Sequence, residues 1–214
     1  MKYQIATAIT TFLLAGTAVS SDADRVADLI AKVAPASTTC ADTSSNSECR
    51  TNVQVAPHIL DSLIKYGVTS NGAVAAIVAL SAFESTSYKD KVNKSSRTPG
   101  QGTANMQSYD FNVQYANSFP ELKDKVAALG LPADGSASDD QKNQLLALVT
   151  DDKYNFGSAA WFLTTQCEPR YLQALGDATD AAWVDYLTTC VKTTDTDTRD
   201  ALWKGAKAAL GIKI

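Results

Sequence analysis

The chain has 214 residues, with 19 basic and 23 acidic side chains and a net charge of −4. A chain of this size suits one domain with a sizeable core. Its acidic balance disfavours nucleic acids and anionic membranes as partners, so we expect neither.

The first twenty residues have the pattern of a secretory signal peptide. Lys2 precedes an apolar run at residues 5–15, and small residues follow at 16–20. The run is too short and too rich in threonine to span a bilayer. We therefore expect a secreted, extracellular monomer in which residues 21–214 form a single domain.

All four cysteines lie after the predicted signal. An even number in an exported chain predicts two disulfides, with three possible pairings. We favour Cys40–Cys49, which closes a short polar loop, and Cys167–Cys190, which joins two C-terminal helices. Because His58 is the only histidine, we expect no metal site, no cofactor and no Ser-His or Cys-His catalysis.

Apolar residues recur at helical spacing along most of the chain, which predicts a mostly α (α+β) fold. The exception is the polar stretch 86–112, where a Pro99-Gly100 turn predicts a small β-hairpin or an irregular segment. The predicted helices cover, in chain order, residues 22–34, 57–66, 75–84, 112–119, 121–129, 139–149, 156–167, 177–191 and 201–210.

The most apolar of these helices ends at Glu84. Eight of the nine residues from Ala75 to Phe83 are apolar, which predicts a buried helix with one carboxylate at its end. Burial against Phe83 would favour the protonated acid. A glycosidase needs such an acid to protonate a leaving sugar oxygen. The alternative is that Glu84 is a solvated residue at a helix end.

Three short motifs occur in a characteristic order. They are Glu84-Ser85, then Gly102-Thr-Ala-Asn-Met-Gln107 with Ser108-Tyr-Asp110, then Tyr154-Asn-Phe-Gly157. Together they resemble the signatures of the lysozyme-like superfamily, above all goose-type lysozymes and soluble lytic transglycosylases. With the signal peptide and the cysteines, the chain is similar to secreted fungal muramidases. It departs from the family in its Gly-Thr-Ala-Asn-Met-Gln turn and at Phe156, where a small residue is common.

The resemblance implies a lysozyme-like helical domain that hydrolyses β-1,4 bonds between N-acetylmuramic acid and N-acetylglucosamine in bacterial peptidoglycan. Glu84 would be the general acid, and Asp110 would orient the attacking water, with Asp90 in reserve. Amides, hydroxyls and flat rings would bind this polysaccharide. The candidate binding residues are Ser85, Tyr88, Asn105, Gln107, Tyr109, Tyr154 and Asn155. The alternative for the tyrosines is packing in the core, and Asn155 would then cap the helix that it opens.

Other functions stay open at this point. The same fold and acid would suit a chitosanase or chitinase-like hydrolase, and an acidic cleft would favour cationic chitosan. A lytic transglycosylase, in which the substrate N-acetyl group attacks, needs no second carboxylate. The chain also fits a catalytically inactive, secreted glycan-binding protein. Asn93-Lys-Ser95 is a sequon for N-glycosylation.

Overall fold

The computed structural model describes residues 15–41 and 48–213. Within these residues helices dominate, and no sheet is formed. The only strand-like pairing in the described ranges consists of two isolated bridges, Val92–Gly102 and Gly102–Gln107. The mostly α prediction is therefore confirmed, with an irregular segment in place of a hairpin after Glu84. The predicted signal peptide lies mainly outside the described part and stays a prediction.

The helices follow one another closely along the chain. Two 3₁₀ turns, Pro35–Thr38 and Pro120–Leu122, and one π-helical turn, Tyr186–Val191, accompany them. The α-helices are α1 (Ala15–Val33), α2 (Asn52–Lys65), α3 (Asn71–Glu84), α4 (Tyr109–Asn117), α5 (Lys123–Ala128), α6 (Asp139–Val149), α7 (Asp152–Asn155), α8 (Ser158–Thr165), α9 (Pro169–Gly176), α10 (Asp180–Asp185) and α11 (Asp197–Ala209).

The core is built around α3. Ser70 caps the helix at its start, where its side chain accepts a hydrogen bond from the Ala73 amide. From Ala75 to Ala82 every residue is buried, and α1, α8, α9 and α11 pack around them. Gly72 lets α9 approach closely, since a Cβ there would lie 2.0 Å from the Leu175 carbonyl oxygen. This packing fixes the C-terminal end of α3, where Glu84 lies.

The start of α2 differs from the prediction. We expected Pro57 to open this helix, but Thr51 caps it and Pro57 lies inside. Thr51 and Gln54 form a reciprocal capping box, which supplies the partners that the first backbone amides need. The local cap therefore outweighs the preference of proline for the first helical position.

Both favoured disulfide pairings are confirmed. Cys40 pairs with Cys49 at a Cα–Cα distance of 5.8 Å. Cys167, just after α8, pairs with Cys190 in the π-helical turn at a Cα–Cα distance of 5.6 Å. The second bridge fixes the start of the segment that leads to α11.

A partly buried ionic cluster holds the segment after α3 against α7. Asp152 accepts hydrogen bonds of 2.5 Å from both Arg50 Nε and Lys91 Nζ. Burial alone raises the pKa of Asp152, but the bonds from Lys91 and Arg50 outweigh it and lower this pKa.

No helix in the described part of the chain is long and apolar enough to cross a membrane.

Candidate functional site

A cleft opens at the C-terminal end of α3, with Glu84 at its centre. One cavity of 270 Å³ lies between Glu84 and the aromatic side chains of Phe111 on α4 and Phe162 on α8. A second cavity of 450 Å³ is also lined by Glu84, together with Asp90 and Asn93. The two cavities share Glu84, Gln101 and Met106 and together form the cleft.

Glu84 forms an ion pair that the sequence did not indicate. Its Oε1 accepts a 2.8 Å bond from Arg199 Nη2, and the two side chains are only 18% and 9% exposed, respectively. The guanidinium also lies 4.0 Å from the centre of the Phe83 ring. The ion pair ties the C-terminal end of α3 to the first turn of α11.

Arg199 also holds one wall of the cleft. Its Nη1 donates a 3.0 Å bond to the carbonyl oxygen of Thr194. Val191, Lys192 and Thr193 line the cleft directly before that residue. Residues 191–196, the wall segment, are thus fixed at one end by the Cys190 disulfide and at the other by Arg199.

The opposite wall is the turn formed by residues 101–107. Its backbone closes on itself, with the Gly102 amide bonded to the Gln107 carbonyl at 3.1 Å and the Met106 amide to the Thr103 carbonyl at 3.0 Å. Thr103 and Met106 have φ angles of +66° and +44°, a region that residues other than glycine rarely adopt. Such strain is kept where surrounding structure enforces it, and it is concentrated at functional sites.

Two amide oxygens of this turn are buried without a donor among the described residues. Asn105 and Gln107 are only 8% and 4% exposed, and both line the cavity beside Glu84. Gln107 Nε2 donates a 2.9 Å bond to Asn112, but Gln107 Oε1 and Asn105 Oδ1 accept no hydrogen bond from the described residues. Each buried acceptor without a partner costs about 1–3 kcal/mol. Donors on a bound ligand would remove that cost.

Two predicted binding residues belong to the core instead. Tyr88 is 1% exposed, its hydroxyl lies 3.0 Å from Ser81 Oγ, and burial raises its pKa. Ser85 is equally buried, and its hydroxyl donates to the Ser81 carbonyl and accepts from the Tyr88 amide. Both side chains shape the turn after α3 and do not face the cleft.

The predicted second carboxylate lies elsewhere. Asp110 is exposed in the first turn of α4 and lines a separate cavity of 440 Å³ together with Tyr109. It lines neither cavity that contains Glu84, so the structure does not bring the two carboxylates together. The reserve candidate, Asp90, does share a cavity with Glu84, but it is paired with Lys94 at 2.7 Å.

The last motif, Tyr154-Asn-Phe-Gly157, supports the turn formed by residues 101–107. Tyr154 is buried, its ring centre lies 4.6 Å from that of Phe119, and its hydroxyl donates to Glu121 at 3.3 Å. Asn155 is fully buried, and its carbonyl oxygen accepts a 3.3 Å bond from the Ala104 amide. Neither side chain lines the two cavities at Glu84, so this motif positions the 101–107 turn.

Asn93, the sequon residue, lies at the edge of the cleft. Its Nδ2 donates a 2.6 Å bond to Gln101 Oε1, and its Oδ1 accepts from the Ser96 amide. The side chain is half-buried and the nitrogen that a glycan would occupy is already engaged. Glycosylation at Asn93 stays a prediction.

The described residues gather no metal-ligand set. Across residues 15–41 and 48–213 no group of three or more His, Cys, Asp or Glu side chains lies close enough to hold a metal ion. The four cysteines are paired, and the His58 ring stacks on Phe156 at 5.9 Å between centres.

Comparisons with known proteins give one strong similarity and two negative results. No family model matches the chain, and no solved structure matches it. Among curated proteins, a 159-residue stretch covering 74% of this chain is 41% identical to a "Bifunctional dioxygenase (DOX)-epoxy alcohol synthase (EAS)" of Fusarium oxysporum (strain Fo5176). That stretch is only 12% of the relative, so the chain spans about an eighth of the length of this enzyme.

This similarity contradicts the predicted glycoside hydrolase. The relative is named for oxidative chemistry and not for hydrolysis, so the predictions of a muramidase, lysozyme or chitosanase-like enzyme are wrong. The resemblance to the lysozyme-like superfamily itself is neither supported nor refuted and stays a prediction.

Proposed function

We propose that the chain is a binding domain whose cleft holds a ligand rich in O–H and N–H groups, such as a glycan strand, without cutting it. The observation that carries this proposal is the pair of buried, unpartnered amide oxygens of Asn105 and Gln107 on a strained turn. Burial of unpaired acceptors is unfavourable in the free protein, and it is retained where a ligand pairs with them.

The other groups of the cleft support the same ligand class. Glu84 Oε2 makes no hydrogen bond with described residues, since Arg199 uses Oε1, so it adds a third acceptor. Phe111 and Phe162 add apolar and aromatic surface. A sugar offers hydroxyls and acetamido N–H groups for the acceptors and C–H faces for the rings. We therefore propose a polysaccharide partner, with bacterial peptidoglycan as the first to test.

Location and assembly complete the proposal. We propose that the domain is secreted and acts as a monomer. Two disulfides support secretion, because such bonds persist mainly in oxidising compartments.

A leucine at Asn105 tests the proposal. Leucine has a similar volume but no acceptor, so Asn105→Leu is expected to weaken binding of an N-acetylglucosamine oligomer about tenfold. The free energy of unfolding should stay equal or rise, because the change removes an unpaired buried oxygen. Titration calorimetry and urea unfolding measure the two quantities.

The matched control is Gln173→Leu, which removes an exposed amide on α9 outside both cavities of the cleft. This variant is expected to bind like the parent chain. Equal affinity in Asn105→Leu and Gln173→Leu would contradict the proposal that Asn105 contacts the ligand.

An oxidative function is the second candidate, and the name of the relative favours it. We propose that the oxidation named there belongs to the remainder of that longer protein, because this chain matches only 12% of it. The visible absorption spectrum of the purified chain and its dioxygen uptake test this assignment. A bound chromophore together with dioxygen uptake would move the oxidation into this domain.

A further inference from the structure

A third cavity extends the cleft away from α3. Its volume is 540 Å³, larger than that of either cavity at Glu84. It shares Val92, Asn93, Lys94 and Gln101 with the 450 Å³ cavity, so the two cavities are direct neighbours. No carboxylate lines this third cavity in the described part of the chain.

Arg97 is the distinctive residue of this cavity. Its guanidinium forms no ion pair with any described residue, whereas the neighbouring Lys94 is paired with Asp90 at 2.7 Å and Glu48 at 3.7 Å. The backbone at Arg97 has a φ of +51°, a strained conformation for a residue with a side chain. Strain held at a cavity wall is typical of residues that serve a ligand.

We propose that this third cavity binds an anionic substituent, a carboxylate or a phosphate, carried by the same glycan that occupies the cleft. This inference rests on the proposed function. Arg97 supplies a charged fork that pairs with two oxygens of such a group, and Thr98 and Asn143 supply polar contacts beside it. The chain carries a net charge of −4, so attraction of an anion has to come from this local feature.

A matched set of ligands tests the inference. N-acetylglucosamine oligomers of one length are compared in unmodified, carboxymethylated and phosphorylated form by titration calorimetry. The parent chain should bind at least one anionic form about tenfold more tightly than the neutral form. The preference should shrink as salt screens the exposed guanidinium. The carboxylate and phosphate arms show which group the cavity accepts.

Two variants complete the design. Arg97→Gln should bind neutral and anionic oligomers alike, whereas Arg25→Gln, which removes an exposed charge on α1, should keep the preference. Neutral binding without an anionic preference, or a preference that survives in Arg97→Gln, overturns this inference and leaves the proposed function standing. Failure of all oligomers to bind overturns both.

Discussion

Arg199→Leu is expected to lower the free energy of unfolding by about 3 kcal/mol, because it leaves the largely buried Glu84 carboxylate without its counter-charge. The change also removes the bond from Arg199 to the Thr194 carbonyl, which holds the wall segment. Oligomer binding in the cleft should therefore be lost as well. Urea unfolding and titration calorimetry report the two effects.

Two further variants separate charge from packing. Glu84→Gln keeps an acceptor for Arg199 and should cost less stability than Arg199→Leu. The double variant with leucine at both positions removes the unpaired charge and should recover part of the loss. A double variant as unstable as the sum of Glu84→Leu and Arg199→Leu, each measured alone, would show that the ion pair is not the origin of the effect.

Removal of the Cys167–Cys190 bridge, with serine at both positions, is expected to cost about 3 kcal/mol of stability. The bridge closes a loop with a sequence separation of 23, against 9 for Cys40–Cys49. Loop entropy therefore predicts the larger loss of stability for removal of Cys167–Cys190. Since Cys190 directly precedes the wall segment, oligomer binding should weaken too.

The Cys40–Cys49 pair, replaced in the same way, is the control. Its loss should lower stability but leave oligomer affinity near that of the parent chain, because neither cysteine lines the two cavities at Glu84. Equal losses of affinity in the two double-serine variants would contradict the assignment of residues 191–196 as a wall of the cleft.

The sequence predicted most of the fold because its strongest local signals agree with the tertiary packing. The apolar run before Glu84 is the central helix, and cysteine number and spacing led to the correct pairs. The helix α9 was missed, although Pro169 stands at its first turn, because its eight residues form a short pattern between two stronger ones. At Pro57 a capping box formed by Thr51 and Gln54, six and three residues upstream, decided where the helix starts.

The site was only partly predictable from sequence. The motifs located Glu84, Asn105 and Gln107, which the fold brings to one cleft. They also pointed to Tyr88 and Tyr154, whose rings are instead buried in the core. Motif residues that position a turn and residues that touch a ligand occur side by side in sequence, so spacing alone does not separate them.

The contact between Arg199 and Glu84 could not be predicted from local sequence patterns. Arg199 is 115 positions from Glu84 along the chain, in a polar stretch that reads as an ordinary helix start. The one available signal was a basic residue in the first turn of α11, where acidic residues are favoured. The contact that holds the Glu84 side chain in the cleft was therefore not available to the sequence analysis.

The most direct test of this account combines binding and product analysis in one sample. The parent chain is titrated with an N-acetylglucosamine oligomer and then with soluble peptidoglycan fragments, and ligand masses are recorded before and after incubation. We expect saturable binding of at least one ligand with every mass unchanged. Absence of binding to both would contradict the binding cleft, and shortened ligands would contradict the proposal that the cleft binds a glycan without cutting it.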